Sequence, residues 1–204
     1  MAILTKGDLL QRYNRRQTTL VSDDGEKSFS KGRLLEASRT FDAAACYDIF
    51  LSHSYDDARI VKVVKEMLEE RGHSVYVDWF EDDHLDRERV TEHTANILRQ
   101  RMNRCASLLY LTSPAARRSL WMPWELGYMD ARTGRIAVAP ILDDNEEFDG
   151  REYLGLYSYL DIINDRFYVH RSPSVWVMFD RWMAGEILRL LCDRFPSACS
   201  SDQL

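Results

Sequence analysis

Nowhere in this chain do apolar residues run on for the roughly 20 positions that a membrane-spanning helix requires. The amino-terminal stretch MAILTKGDLLQRYNRR is broken by charge too early to read as a signal peptide. The four cysteines, Cys46, Cys105, Cys192 and Cys199, include no Cys-x-x-Cys pair, which excludes the usual zinc frameworks. Cys46 and Cys105 lie in apolar, strand-like runs, so the cysteines read as buried free thiols of a reducing compartment, and the expected location is the cytoplasm. A surplus of basic residues is also missing: 27 Lys and Arg face 33 Asp and Glu, for a formal net charge of -6. Such a protein has no general attraction to nucleic acid or anionic membrane, although a local basic patch could hold a phosphate. Internal repeats and low-complexity tracts are absent as well. What is present is an ordinary globular balance, 45% hydrophobic and 29% charged. The chain is long enough to bury a core without disulfides or metals.

Positions 1–45 are rich in charge and in Ser/Thr, with weak helical patterns near Leu9–Tyr13 and Leu34–Phe41 on either side of Ser22-Asp23-Asp24-Gly25. This segment is an amino-terminal extension with three open roles: covering a sheet edge, mediating assembly, or moving freely. Regular structure is expected over 46–195, and 196–204 forms a tail. CYDIFL (46–51) reads as a first strand leading into the polar loop SHSYDD. Ala58–Arg71 carries Ile60, Val63, Val64, Met67 and Leu68 on one helical face, with Gly72 as C-cap. SVYVD (74–78) is a second strand, and a helix is expected over Val90–Arg101. ASLLYL (106–111) reads as a central strand buried on both faces. Ser113-Pro114 opens a helical turn that continues through Trp121–Ala131. IAVAPIL (136–142) is a fourth strand, in which Pro140 suggests an edge or late position. Tyr157–Ile163 is a fifth strand, and Val175–Leu191 reads as a long amphipathic final helix.

Strands alternating with helices imply an α/β fold: a five-stranded parallel sheet with helices on both faces, in the flavodoxin-like order 2-1-3-4-5. Ligands of such sheets bind beyond the carboxyl ends of the strands where the order reverses, here between strands one and three. The loop at 52–57 and the segment from Ser113 towards Glu125 should therefore meet in one crevice.

Trp121 and Glu125 are spaced i, i+4, one turn apart on one helical face. Pro123 between them is tolerated only in a first turn, so the helix should begin near Ser119–Met122 with Glu125 close to the positive end of its dipole. An aromatic surface beside a carboxylate suits a flat cationic leaving group on a sugar, but the same spacing also suits a core Trp and a dipole partner. Ser52, His53 and Ser54 could offer backbone N–H and hydroxyl donors to a ribose or pyrophosphate, while His53 could equally just hydrogen-bond the backbone. Trp79 could stack on an adenine or anchor its own loop. The acidic runs Glu81-Asp82-Asp83-His84 and Asp143–Glu147 lack a second ligand set or EF-hand spacing, so they read as solvated loops and no metal is expected. Tyr153, Tyr157 and Tyr159 read as packing residues.

Taken in order, three motifs resemble those of the TIR (Toll/interleukin-1 receptor homology) domain family. DIFLSHSYDD (48–57) is similar to its box 1. VYVDW (75–79) with Leu85-Asp86 resembles the second strand and BB loop of bacterial members, and SLWMPWELG (119–127) resembles the Trp-x-x-x-Glu helix of members active on NAD. The resemblance spans about 46–165. It implies that Glu125 is the catalytic glutamate, holding the nicotinamide-side ribose and stabilising charge at the anomeric carbon, and that Trp121 walls the nicotinamide pocket. NAD is then the substrate, with no separate cofactor. Receptor-type members often have a proline in the BB loop, and Glu81–Arg89 has none. The likeness is therefore to a free-standing bacterial NAD-cleaving enzyme, similar to the TIR component of Thoeris antiphage systems. It further implies self-assembly through TIR contacts and a separate effector activated by a cyclised or linked ADP-ribose. Two other readings stay open: a non-enzymatic scaffold acting by homotypic TIR contacts, and a nucleoside deoxyribosyltransferase-like enzyme on a similar sheet.

Overall fold

The computed structural model describes residues 4–21, 45–78, 91–143, 152–163, 166–172 and 175–185. A two-residue strand β1 (Leu4–Thr5) leads straight into α1 (Lys6–Val21). Then come β2 (Tyr47–Ser52), α2 (Ala58–Glu69) and β3 (Val75–Tyr76), followed by α3 (Glu92–Met102) and β4 (Cys105–Thr112). Next are α4 (Trp121–Thr133) and β5 (Ile136–Leu142). The described chain closes with β6 (Ser158–Ile163), β7 (Arg166–Ser172), β8 (Val175–Met178) and the single turn α5 (Phe179–Met183).

The strands lie side by side in the order β3-β2-β4-β5-β6-β7-β8. From β3 to β6 every pairing is parallel. This is the expected order, with the reversal between β2 and β4 at the switch point. The strand count is higher than the expected five, because β6 pairs antiparallel with β7 and β7 with β8. The final helix also differs. Val175–Met178 is a strand, with Val177 buried and Met178 exposed in alternation, and among the described residues the helix spans Phe179–Met183. Val-Trp-Val is a β-branched and aromatic run that fits a pleated surface, and the period of two prevails over the helical one. Gly185 at φ +86° then turns the chain in a conformation that side chains with a β-carbon resist. Positions 186–191 lie outside the described residues.

Alternation along each strand divides the core between the two faces of the sheet. Ile49, Leu51, Leu109, Leu111 and Ala139 pack under α2, whose Ile60, Val61, Val63, Val64, Met67 and Leu68 are all buried. On the other face Phe50, Leu108, Tyr110 and Val138 pack against Leu98 and Met102 of α3 and Trp121, Met122, Leu126 and Met129 of α4. Thr91 caps α3 by accepting from the Thr94 N–H at 3.1 Å, and Gly134 at φ +58° ends α4.

Of the amino-terminal extension, residues 4–21 are described, and they pack onto the domain. Leu9 of α1 is fully buried in the α2 side of the core, with Leu10 and Tyr13 packed beside it. β1 pairs with Ile141 and Leu142 at the carboxyl end of β5, beyond the points where the β4 and β6 pairings stop. The helix expected near Leu34–Phe41 lies outside the described residues. Pro140 is not on an edge strand, since β5 is flanked by β4 and β6. The proline is tolerated because β6 pairs with β5 only at Ala137 and Val138, leaving no ladder for its missing N–H to break on that side. Cys46 is exposed, just ahead of β2, and does not share the burial of Cys105. Cys192 and Cys199 lie outside the described residues.

Candidate active site

Helix α4 starts where Pro123 requires. Ser119 Oγ accepts from the Met122 N–H at 3.3 Å, and Pro123 occupies the first turn, where its lack of an N–H breaks no helical bond. Glu125 follows one turn after Trp121. The strand-end residue Ser52 shares its sheet face with Phe50, the face that α4 covers. Ser52 Oγ donates to Glu125 Oε2 at 2.6 Å, a short charge-assisted hydrogen bond between two buried side chains 73 positions apart. Glu125 has 0% exposure and Ser52 1%. A carboxylate in such a setting is held in one orientation, because leaving it unsatisfied would carry the full penalty of desolvation.

The two loops predicted to meet do so at two further points. Ser113 Oγ donates to Asp57 Oδ2 at 2.5 Å and accepts from the Ala116 N–H at 3.0 Å, with both side chains buried. At the surface Arg118 Nη2 lies 2.8 Å from Asp56 Oδ2. Polar side chains directly after β2 and β4 are the sequence signal for these contacts, but their pairing depends on the register of the two strands. The same register sets Tyr110 of β4 opposite Ser52, on the face of Glu125, although periodicity alone marks Tyr110 only as a core residue.

The remaining sequence candidates divide. His53 has its Nδ1 2.8 Å from the Leu51 carbonyl, the backbone bond of its blander reading. Its Nε2 stands 3.4 Å from Asp78 Oδ1, and both residues are buried. Ser54 precedes the 3-10 turn Tyr55–Asp57 and accepts from the Asp57 N–H through its backbone carbonyl at 3.0 Å. Trp121 is largely buried in the core on this face, edge-on to Trp124 with ring centroids 5.5 Å apart. Trp79 and the run 81–84 lie outside the described residues. Among the described residues no group of three His, Cys, Asp or Glu side chains gathers to hold a metal, and no helix is long and apolar enough to cross a membrane. A cleft of about 840 Å³ opens elsewhere, at the amino ends of β2 and β4, lined by residues such as Asp48, Ser74 and Arg132. Arg132 there is engaged with the carbonyls of Cys105 and Asn103, and Asp48 with Ser74.

The carboxyl ends of β2 and β4 thus hold a buried, oriented carboxylate at the switch point of a doubly wound sheet. Residues 49–170 match the family model described as TIR domain. The chain belongs to the TIR domain family. This TIR chain is 41% identical over 192 residues to a protein of Bacillus cereus (strain MSX-D12) named 3' cyclic ADP-D-ribose synthase ThsB', the name being qualified there as probable. That match covers 90% of this chain and 98% of the relative. A Cytobacillus dafuensis protein with the similarly qualified name cyclic ADP-D-ribose synthase TIR2 is 28% identical over 123 residues, covering 59% of this chain and 32% of its own length.

Proposed function

We propose that this TIR protein breaks the nicotinamide–ribose bond of NAD and converts the remaining ADP-ribose into a cyclic or linked product, with Glu125 as the catalytic carboxylate. The observation that carries this reading is the seating of Glu125 at the switch point of the sheet, fully buried and held at 2.6 Å by Ser52. The names of the two relatives support the same chemistry.

Bond cleavage asks little of the protein beyond placing that charge. Nicotinamide leaves as a neutral molecule and the anomeric carbon takes on oxocarbenium character, which a fixed carboxylate stabilises. Because Ser52 fixes one oxygen of Glu125, the carboxylate needs little reorganisation as the positive charge develops. Glu125 also engages the ribose hydroxyls, and Trp121 forms the wall against which nicotinamide packs. The Ser52 hydroxyl and the His53 ring are engaged within the protein, so the 52–54 segment contributes to the ribose and pyrophosphate subsite through loop N–H groups and the Ser54 hydroxyl, and Trp79 stacks on the adenine. Glu125 has no exposed surface, so binding of substrate requires the side chains covering it to move. NAD is the substrate, and no separate cofactor enters the scheme. The wider reading is a cytoplasmic defence enzyme that assembles through TIR contacts and whose product activates a separate effector. Its catalytic unit spans 46–195, with 1–45 as an extension and 196–204 as a tail.

The test is incubation of concentrated protein with NAD, followed by chromatography and mass spectrometry of the products. Glu125→Gln should lower nicotinamide release by roughly 100-fold or more, the loss typical of a group that stabilises transition-state charge, without loss of the fold. Full turnover by that variant would falsify the assignment. A scaffold would release no nicotinamide under any assembly condition, and a deoxyribosyltransferase-like enzyme would consume nucleosides and leave NAD intact.

A further inference from the structure

Two residues of good capping type open the helical stretch after β2, and neither caps it. Ser54 precedes the 3-10 turn Tyr55–Asp57 and Asp57 precedes α2, yet neither makes a side-chain cap hydrogen bond. Serine and aspartate at such positions ordinarily satisfy one of the free amides of the first turn. Asp57 instead turns across the switch point, where its Oδ2 accepts from Ser113 Oγ at 2.5 Å. Asp57 is 8% exposed and Ser113 6%, so the bond is shielded from water. Ser113 is itself fixed, because its Oγ accepts from the Ala116 N–H at 3.0 Å at the start of the turn Ala116–Arg118. At the other end of the same loop Ser52 Oγ donates to Glu125 Oε2 at 2.6 Å. Positions 53–56 are therefore a span of backbone anchored at both ends, at one to α4 and at the other to the loop that follows β4. A local preference given up for a contact between distant elements is a mark of a functional site.

We infer that Asp57 and Ser113 are positioning residues for NAD, their buried bond holding positions 53–56 in the shape that binds the ribose and pyrophosphate. The inference rests on the proposed NAD chemistry. Neither residue touches the reacting atoms. Each acts through the span between the two anchors, which in that scheme supplies loop N–H groups and the Ser54 hydroxyl to the substrate. A loop that must order itself on binding lowers the apparent affinity by the fraction of molecules already in the competent shape. The Asp57–Ser113 bond keeps that fraction high, and without it the span loses the anchor at its far end. Glu125 keeps its own partner in Ser52, so the bond-breaking step is left intact. The tie at Asp57 thus acts on binding, and the tie at Ser52 acts on the chemical step. The Arg118–Asp56 pair lies beside the buried tie, but both of its side chains are exposed and such a pair holds little in water.

Asp57→Ser keeps a capping residue at the start of α2 but shortens the side chain away from Ser113, and Ser113→Ala removes the bond from the other side. Each should raise KM for NAD roughly three- to tenfold while kcat stays within about threefold, and the double variant should add little to either single one. The rise is less than the full worth of a bond to a charged group, since the Asp57 N–H still donates to the Ser54 carbonyl and holds part of the span. Asp57→Asn keeps an oxygen in place for Ser113 and should return KM to within about twofold of wild type. Arg118→Ala, which breaks only the exposed pair, should also leave KM within about twofold. Calorimetry on Glu125→Gln reads NAD binding without turnover, and adding Asp57→Ser there should weaken Kd by roughly the same three- to tenfold. Ser113→Ala carries the test if Asp57→Ser fails to fold. An unchanged KM in either folded variant, a loss confined to kcat, or a failure of Asp57→Asn to rescue overturns the inference. If Glu125→Gln still releases nicotinamide, the catalytic reading itself fails. If Glu125→Gln is inactive while Asp57→Ser and Ser113→Ala keep the wild-type KM, only the present inference fails.

Discussion

Ser52→Ala removes one oxygen atom, and the geometry fixes what that oxygen does. Ser52 Oγ lies 2.6 Å from Glu125 Oε2 with both groups shielded from solvent. Hydrogen bonds to charged groups contribute about 1.5–3 kcal/mol, and the alanine methyl offers the carboxylate no substitute donor. In a chain of this size the same loss should lower Tm by roughly 3–12 °C. Nicotinamide release should fall by roughly 10- to 150-fold if the full interaction is needed to hold the carboxylate in its reactive orientation. Ser52→Thr keeps the hydroxyl on a β-branched residue suited to a strand end and should recover most of the turnover.

Two measurements decide it. Thermal melts of Ser52→Ala, Glu125→Ala and the double variant form a cycle that isolates the pair, and its coupling should be about 1.5 kcal/mol or more. Single-turnover nicotinamide release then separates orientation from simple loss of folded protein. A coupling near zero together with wild-type turnover in Ser52→Ala would refute the reasoning. It would mean that the short contact carries no energy and that Glu125 is positioned by α4 alone.

Other outcomes follow from the same structure. Leu9→Ala should destabilise the protein by about 2–5 kcal/mol, seen as a lower urea midpoint, because Leu9 is buried in the core beside α2; a cost below about 0.5 kcal/mol would make α1 an appendage. The Cys105 thiol is pushed up to about 12 from an ordinary 9.0, chiefly by burial, with Arg132 and Arg101 opposing the shift. A raised folded-state value means that the fold favours the protonated thiol. Its contribution is thus complete below pH 9.0 and is lost as pH rises towards 12. Urea titrations between about pH 9 and 10.5 should show stability falling in the wild type by up to roughly 1.4 kcal/mol per pH unit more than in Cys105→Ala. Equal slopes would remove the thiol from the account. Alkylation at neutral pH should mark the exposed Cys46 and spare Cys105 in the folded protein.

The parallel half of the fold was legible in the sequence because its signals are periodic and local. The apolar face of α2 and the buried run of β4 emerge where periodicity put them, and the order of strands follows from alternation and handedness. The antiparallel strands β7 and β8 were not legible. Val175–Met178 is too short to separate a period of two from one of 3.6, and its partners in β7 lie within a polar and aromatic run that favours neither. At the site, the spacing of Trp121 and Glu125 and the meeting of two loops could be read directly. The Ser52–Glu125 and Asp57–Ser113 contacts could not, because each joins residues from different elements and needs the register of β2 against β4.

That division bears on mechanism. Glu125 stands inside a helix whose start is fixed by Pro123 and Ser119, and Ser52 is the last residue of an interior strand, so the contact between them belongs to the rigid scaffold. The loops after β2 and β4 also meet at the surface, where Arg118 pairs with Asp56. Rigid elements hold geometry closely, whereas loops tolerate variation in length and sequence. Cleavage of the glycosidic bond should therefore respond steeply to changes at Ser52 and α4 and only weakly to loss of the exposed Arg118–Asp56 pair.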